Sequence, residues 1–506
     1  MVMNSSGVIR QEQVKAAALV RPSERQLAIQ EMEFYAFVHF TVNTFTDQEW
    51  GSGQEQPDIF NPTQLDARQW VRACKAAGMK GLILTCKHHD GFCLWPSEYT
   101  EHSVKNSPWK DGKGDVVREV ADACREGGLQ FGIYLSPWDR HEPCYGDSPA
   151  YNEYFTNQLR ELLTRYGDIF CVWFDGACGE GPNGKRQIYD WNGYYALIRE
   201  LQPEASISVC GPDVRWCGNE AGHCRKSEWS VVPAQLQDKE RIQEHSQQED
   251  NAEFAKRFTS EDEDLGSRDI IANVSELVWY PAEVDTSIRP GWFYHASQDD
   301  QVKSLDELRN VYYGSVGGNA MLLLNIPADT RGLLHENDVQ RLEELGAWIR
   351  NTFETNIARD AAAAASEAMP GHEAANVLDG NRDTYWAPEQ GTEVASITVD
   401  LGTVQTFDHI VLQEYRYTQR IESFRLEYWQ DDAAIAAPTE DRTDTAAGRG
   451  TWQPILEGTI IGHKRICHFP AISSCRLRLQ ITGSRWWPNL STFEVYNSQV
   501  QGGEGE

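Results

Sequence analysis

The sequence lacks the features that mark membrane-spanning, nucleic-acid-binding and disulfide-rich proteins. No apolar run approaches the roughly 20 residues of a membrane-spanning helix. Basic residues are scarce, 46 against 76 acidic ones, and the net charge of −30 repels phosphate backbones and anionic lipids. The 12 cysteines form no CxxC pair and no Cys/His spacing typical of a metal site. We therefore expect no nucleic acid or membrane partner, no metal ligands and an uncharged substrate.

The N-terminal region also lacks the long apolar segment and cleavage site of a signal peptide, having only the short apolar patch Ala16–Val20. This pattern predicts a cytoplasmic protein. Cys86, Cys171 and Cys210 lie within apolar, strand-like runs, where a free thiol behaves as a small hydrophobic group. We expect the cysteines to be reduced and structural, as is usual in that compartment.

Short apolar runs alternate with longer amphipathic segments between Phe34 and about Asn351. The runs are nearly continuous in apolar residues, as in parallel strands buried on both faces; they are FYAFVHF, GLILTCK, FGIYLS, IFCVWFDG, ISVCG and MLLLNI. Strand–helix alternation over about 300 residues predicts an α/β fold of the (β/α)8 barrel type. The pattern does not place strands six and seven, which should fall within 225–300. The acidic stretch 246–269 is interpreted as a solvated loop.

The pattern of the sequence changes after residue 357. The segment 358–375 is low in complexity and contains Pro370 and Gly371, which favours a linker. Residues 376–506 contain short, alternating segments typical of an antiparallel β-sandwich of the jelly-roll type. The sequence therefore predicts a barrel domain over 1–357, a linker over 358–375 and a β-sandwich over 376–506.

Polar and aromatic side chains cluster where the predicted barrel strands end, which is where active sites form in this architecture. They are His39, Glu49 and Trp50 after the first run, His88, His89 and Trp95 after the second, Tyr134 in the third, Asp175 at the end of the fourth, and Arg215 and Glu220 after the fifth. Each has a plainer interpretation as core packing, a helix cap or a solvated loop residue. Adjacent strand residues point to opposite faces, so His88 and His89 are not expected to chelate a metal ion.

Asp175 and Glu220 together provide the groups that glycoside hydrolysis requires. A retaining glycosidase uses one carboxylate as a nucleophile and a second carboxyl first as acid and then as base. Neighbouring histidine, tyrosine and tryptophan side chains are suited to binding sugar hydroxyls and to stacking on sugar rings. The combination, rather than any single residue, indicates a glycosidase.

Six motifs resemble glycoside hydrolase family 29, the α-L-fucosidases, over about 22–349; they are FVHF, KHHDGF, GIYLSPWDR, VWFDGA, GPDVRWCGNEAG and IRPGWFYH. VWFDGA and GNEAG are most similar to the subfamily selective for α-1,3- and α-1,4-linked fucose. The resemblance implies a retaining enzyme that needs no cofactor and removes terminal fucose from branched, Lewis-type oligosaccharides.

The same resemblance implies roles for individual residues. Asp175 is implied to be the nucleophile and Glu220 the general acid/base. Contacts with fucose are implied for His39, His88, His89, Tyr134 and Trp292, and positions nearby for Glu49, Trp50, Trp95 and Arg215. Phe40 and Thr41 depart from the Trp-Gly pair common in the family.

The C-terminal portion resembles a discoidin or galactose-binding-like domain through NVLDGNRDTYW, VDLG and SRWWPNLSTFEVYN. The resemblance implies sugar binding and a structural calcium ion near the DGN-type turn. The alternative is a purely structural domain, in which Asp379, Asn381 and Asp383 only form turns.

Three other functions fit parts of the pattern. They are a fucosidase that accepts all linkages, a retaining glycosidase for another sugar such as an α-galactoside, and a non-catalytic sugar-binding protein. The KHHDGF and IRPGWFYH motifs count against the second, and the presence of both carboxylates counts against the third.

Overall fold

Eight parallel strands form the wall of the first domain in a computed structural model, which describes residues 5–181, 183–238, 264–431 and 450–499. The strands are β1 (Phe34–Val38), β2 (Gly81–Lys87), β3 (Gln130–Leu135), β4 (Cys171–Phe174), β5 (Ser206–Val209), β6 (Arg215–Trp216), β9 (Ala282–Ser287) and β10 (Met321–Asn325). Their order is β5-β4-β3-β2-β1-β10-β9-β6. A parallel bridge between Ser208 and Val214 nearly closes the sheet, so the predicted barrel is confirmed.

Continuous burial explains why these apolar runs form the barrel. Strands β1, β2, β4, β5 and β10 are buried at every position, because side chains on one face fill the barrel and those on the other meet the surrounding helices. The helices are α1 (Ser5–Leu19), α2 (Glu24–Met32), α3 (Val42–Thr46), α4 (Ala67–Ala76), α5 (Val116–Gly127), α6 (Ser148–Arg165), α7 (Trp191–Leu201), α8 (Arg268–Ile271), α9 (Leu305–Gly314) and α10 (Glu336–Phe353). No helix in the described ranges is long and apolar enough to cross a membrane.

The barrel departs from regular alternation between β5 and β6, where Cys210–Val214 connects the strands without a helix. Val209 ends β5 with φ 64°, a left-handed conformation that is strained for a β-branched residue. Strand β6 has two residues, and β9 carries the buried polar residues Glu283 and Asp285. Neither strand therefore has the apolar signature on which the sequence prediction relied. Between them, β7 (Val231–Pro233) and β8 (Leu277–Trp279) form a small antiparallel sheet.

The second domain is an antiparallel sheet of six strands, as the alternating pattern predicts. Its strands are β11 (Ala362–Ala365), β12 (Ala395–Glu414), β13 (Ile421–Asp431), β14 (Gly450–Gly458), β15 (Arg465–Ser484) and β16 (Leu490–Tyr496). Strands β12 and β15 pair along most of their length, with register shifts near Asp400 and Phe407. The first half of β12 also pairs with β11, and its second half pairs with β16. The long strand β12 therefore connects the part of the core next to β11 with the part next to β16.

The segment 358–375 is not the linker that the sequence predicts. It contributes β11 to the second domain, and Ala358 lies in that domain's core. Alanine-rich composition resembles a linker, but four alanines at a sheet edge pair through their backbones as well as any other residues. The acidic stretch 246–269 lies largely outside the described residues. None of the twelve cysteines, all of which lie in the described ranges, forms a disulfide, as expected for reduced thiols.

The two domains are packed tightly together. Arg485 of the second domain stacks on the Trp229 ring at 3.5 Å from its centroid. Tyr313 at the end of α9 places its hydroxyl 2.6 Å from His409 Nε2 on β12. Lys464 forms an ion pair with Glu33, immediately before β1, at 2.6 Å.

Candidate active site

Asp175 follows β4 at the carboxyl end of the barrel, and the surrounding residues stabilise it as an anion. The Tyr134 hydroxyl donates to Asp175 Oδ2 at 3.0 Å, and the Ala177 amide donates to Oδ1 at 2.8 Å. His89 Nε2 lies 3.7 Å from Oδ2. Burial and the charge of Asp175 raise the pKa of Tyr134 well above its usual value, so the tyrosine keeps its proton and remains a donor. The side chain of Asp175 is 25% exposed and therefore accessible to a ligand.

Three buried histidines line the site next to Asp175. The His39 and His88 rings lie 5.5 Å apart, and the His88 and His89 rings 4.1 Å apart. Burial lowers the pKa values of all three, to about 4 for His39 and His89. They are therefore neutral near pH 7. Nδ1 of His39 is paired with Asn325 Oδ1 and Nδ1 of His89 with Ser136 Oγ, which leaves Nε2 of each ring to meet a ligand hydroxyl.

His88 and His89 come together because β2 ends at Lys87. Neither histidine lies on a strand, so the opposite orientations that the sequence predicts for them do not apply. Together with Asp175 they offer donor atoms within 4.8 Å of one another, and no other such group occurs among the described residues. His89 Nδ1 is paired with Ser136 Oγ at 2.7 Å, which directs Nε2 towards Asp175.

Glu220 lies half-buried in the loop after β6. Its Oε2 accepts a hydrogen bond from the Trp292 indole at 3.3 Å. Burial raises the pKa of Glu220 to about 7, and the negative charges of Asp175 and Glu49 add to this effect, whereas the indole opposes it. Asp285 on β9 is electrostatically linked to Glu220 and has a raised pKa for the same reason, burial first and Glu220 second. A substantial fraction of Glu220 is therefore protonated at neutral pH.

Trp292 lies between the histidines and Glu220 and contacts both. Its ring lies 5.2 Å from the His39 ring, while its indole reaches Glu220. Asn325 at the end of β10 donates to the Trp292 carbonyl at 2.8 Å and pairs with His39 Nδ1 at 2.7 Å. Asn325 is not among the site residues that the sequence predicts, although it follows the apolar residues 321–324 much as Asp175 follows the apolar residues 171–174.

The other predicted contacts divide into two groups. Trp50 lies at the site, with its ring 5.2 Å from His89, and Glu49 accepts hydrogen bonds from the backbone of the Trp292 loop. Trp95 is fully buried and donates to Glu161 of α6 at 2.7 Å, and Arg215 is buried in an ion pair with Glu228. The structure does not bring these two residues to the others, because both side chains are bonded to internal carboxylates.

Phe40 and Thr41, which depart from the family pattern, have structural roles. Thr41 caps α3 and donates to Asp90 Oδ2 at 3.0 Å, while Phe40 packs against Phe60 and Trp70 in the core. The departure therefore lies in the buried core next to His39, where both residues are fully covered.

The arrangement can carry out acid-assisted displacement at a sugar carbon. An accessible carboxylate with a fixed donor can act as a nucleophile, and a half-buried carboxyl with a raised pKa can donate a proton. The neutral imidazoles and the tryptophan next to these two carboxyls suit an uncharged, hydroxyl-rich ligand.

Comparison with known proteins agrees with this chemistry. Residues 23–354 match the family described as Alpha-L-fucosidase, and residues 361–489 match the F5/8 type C domain. Alpha-L-fucosidase 1 of Arabidopsis thaliana is 39% identical to the chain, over 99% of this chain and 92% of that protein.

Solved structures show the same likeness. The Ruminococcus gnavus GH29 fucosidase E1_10125 in complex with fucose is 32% identical, with a TM-score of 0.78, and the match covers 95% of each chain. A glycoside hydrolase 29 family member from a rumen bacterium is 40% identical, with a TM-score of 0.74, covering 96% of this chain and 79% of that one.

Proposed function

Since the chain belongs to the α-L-fucosidase family and is therefore a fucoside-cleaving glycoside hydrolase, we propose that it acts with retention of configuration and prefers α-1,3- and α-1,4-linked fucose. The observation that best supports retention is the contrast between its two carboxyls. Both are partly exposed, but Asp175 accepts hydrogen bonds from a hydroxyl and an amide, whereas desolvation raises the pKa of Glu220 to about 7. Opposite protonation states are what double displacement requires at its start.

In the first step, Asp175 attacks the anomeric carbon of fucose, forming a glycosyl–enzyme ester. The bond to the leaving oxygen breaks, and Glu220 gives its proton to that oxygen. The Tyr134 hydroxyl holds Asp175 Oδ2, which favours the carboxylate orientation needed for attack. His39, His88, His89 and Trp292 hold the sugar.

In the second step, Glu220 takes a proton from water, and the water oxygen attacks the anomeric carbon and releases Asp175. Formation of the ester removes the negative charge of Asp175, which had helped to raise the pKa of Glu220. The pKa of Glu220 therefore falls when its role changes from acid to base.

Proton NMR of the first-formed product tests retention. Two inversions at the same carbon return α-L-fucose, and mutarotation then produces the β-anomer slowly. An initial β-anomer would exclude double displacement. With substrate bound, we expect the two carboxyls to lie about 5–5.5 Å apart.

The proposed linkage preference rests on the resemblance of the GNEAG and IRPGWFYH segments to the branched-acceptor subfamily. Glu220 belongs to the first segment and Trp292 to the second, and the two side chains are hydrogen-bonded to each other. Both segments therefore border the side of the site where the proposed proton transfer occurs. An acceptor that contributes binding energy in the transition state raises kcat, and simple aryl fucosides should be poorer substrates. We expect a higher kcat/KM for a Lewis trisaccharide than for 2′-fucosyllactose. Equal values would instead favour a broad-linkage fucosidase.

We further propose a structural calcium ion at the DGN-type turn of the second domain. Asp379, Asn381 and Asp383 offer oxygen ligands of the kind calcium prefers, and Asp379 already closes the turn by accepting hydrogen bonds from Asn381 and Thr384. Calcium should raise the Tm of the wild type over that in EDTA but not the Tm of Asp379→Asn. An unchanged wild-type Tm would indicate a turn that is complete without the ion.

A further inference from the structure

The loop that carries Trp292 is held by a chain of bonds on its outer side. Glu49 Oε2 accepts from the Trp292 amide at 2.9 Å, and Oε1 accepts from the Phe293 amide at 3.1 Å. His295 Nε2 lies 2.7 Å from the same Oε1, and its Nδ1 lies 2.6 Å from Asp47 Oδ1. The loop therefore wraps around the Glu49 carboxylate, and His295 links Glu49 to Asp47.

His295 is a cation in this position. Its hydrogen bond with Glu49 and the nearby Asp47 raise its pKa to about 9 against the effect of burial. Both ring nitrogens therefore carry protons at neutral pH, and both donate to carboxylates. Charge-assisted hydrogen bonds of this kind are about twice as strong as neutral ones.

The fit around Glu49 is tight. A Cβ added at Gly291 would lie 2.5 Å from Glu49 Oε1 and 3.0 Å from the His295 ring. The Gly291 amide and carbonyl are themselves bonded to Gln298 and Ser287. The absence of a side chain at residue 291 is therefore what allows the loop to close on Glu49.

We propose that His295 is a positioning residue for the acid/base: with Glu49 it forms a clamp that holds Trp292 in hydrogen-bond reach of Glu220. The proposal rests on the proposed role of Glu220. His295 acts only through Glu49 and the loop, since its own two ring nitrogens are bonded to Asp47 and Glu49. The clamp sets both the position and the acidity of the proton donor.

Release of the clamp has a defined effect on the pH profile. The Trp292 indole stabilises the Glu220 carboxylate, while the negative charges of Asp175 and Glu49 destabilise it. Asp285 also faces Glu220, and burial raises its own pKa and so favours its neutral form. Loss of the indole contact raises the pKa of Glu220, and the alkaline limit of activity moves to higher pH. Misplacement of the acid lowers activity on poor leaving groups, by up to about 100-fold.

Two variants test the clamp in different ways. His295→Gln removes the cation, and Gly291→Ala pushes on Glu49 without changing any charge. Both should lose far more activity on an unactivated fucoside than on a dinitrophenyl fucoside, which needs little acid assistance. His335→Gln is the matched control, because His335 stacks near Tyr294 of the same loop but faces Asp299 and Glu336. It should behave like the wild type.

An equal loss on both substrates with an unmoved alkaline limit would overturn the clamp and leave His295 a merely structural residue. Fluorine NMR of protein labelled with 5-fluorotryptophan gives a readout that needs no turnover. The Trp292 signal, assigned by its loss in Trp292→Phe, should titrate with Glu220 in the wild type and at higher pH in His295→Gln. A wild type that shows this titration but cleaves no fucoside refutes the proposed function and not the clamp. Identical titrations in wild type and His295→Gln refute the clamp.

Discussion

At the scale of single residues, the site depends on the different environments of two carboxyls. Asp175 receives hydrogen bonds from Tyr134 and Ala177, which favour its charged form. Glu220 has one indole donor and is otherwise desolvated, which favours its neutral form. The two carboxyls thus differ in the hydrogen-bond donors that they meet, a hydroxyl and an amide for Asp175 and an indole for Glu220.

Replacement of Glu220 by alanine should remove the alkaline limb of the pH profile. In the proposed mechanism the enzyme needs a protonated Glu220, whose pKa is about 7, so kcat/KM should fall as pH rises above about 7. Without the carboxyl, the remaining slow reaction no longer depends on that proton. Azide should restore turnover of an activated fucoside and yield a fucosyl azide. Near-normal cleavage of an oligosaccharide by Glu220→Ala would mean that another residue is the acid.

Replacement of Tyr134 by phenylalanine should weaken Asp175, the proposed nucleophile, without removing it. Loss of a hydrogen bond to a charged group costs about 1.5–3 kcal/mol, which corresponds to a roughly 10- to 150-fold lower kcat/KM. Tyr145→Phe is a suitable control, because Tyr145 is also buried but bonds to Tyr189 and Gly179. Equal activity in Tyr134→Phe and the wild type would show that Ala177 alone orients Asp175.

At the scale of elements, a buried ion pair joins the loops that follow β2 and β3. Lys87, the last residue of β2, lies 2.9 Å from Asp139, and the two side chains are 0% and 1% exposed. Burial alone would raise the pKa of Asp139, but Lys87 and two backbone amides lower it below its usual value. Lys87 comes directly before His88 and His89 in the sequence, and Asp139 comes directly after Trp138. The ion pair therefore connects the segments that carry these aromatic side chains.

Lys87→Met should destabilise the fold strongly, because it leaves Asp139 buried without its partner. The expected cost is about 3–5 kcal/mol in the free energy of unfolding, measured with urea. Arg68→Met, which breaks a pair with Glu126 that is exposed on both sides, should change stability little. The double variant Lys87→Met/Asp139→Leu should recover much of the loss. A small effect of Lys87→Met would mean that water or a shifted side chain replaces the lysine.

At the scale of the whole molecule, the second domain is bound to the first through buried polar groups. Arg485 lies flat on Trp229 and donates to the Gly266 carbonyl, and Arg420 donates to the Ala18 carbonyl of α1. Gln419 accepts a hydrogen bond from the Ser230 amide at 2.6 Å. Such contacts favour cooperative unfolding of the two domains.

Calorimetry of the wild type should accordingly show one unfolding transition. Arg485→Ala should lower the Tm and split the transition in two, because a desolvated cation–π contact contributes about 2 kcal/mol to the interface. Arg425→Ala, which removes an exposed arginine paired with Glu457 in the same domain, should leave one transition. Two transitions in the wild type would show that the interface does not couple the domains.

The sequence by itself determined the barrel strands whose residues are apolar throughout and the position of Asp175 at the end of one of them. Burial on both faces requires such runs, so β1, β2, β4 and β10 can be read directly from the residues. The motif resemblance then pointed to Glu220 and Trp292. Composition and spacing alone do not distinguish these two from many similar loop residues.

Only the tertiary structure decided the roles that depend on partners distant in sequence. Strand β9 is hidden from sequence analysis because Glu283 and Asp285 face a barrel interior where Tyr35, Trp173 and Trp216 bond to them. In the same way, Trp95 and Arg215 have internal carboxylate partners, and Glu49 holds a loop more than 240 residues away. A polar side chain is functional or structural according to the group it meets, and that group is set by folding rather than by local pattern.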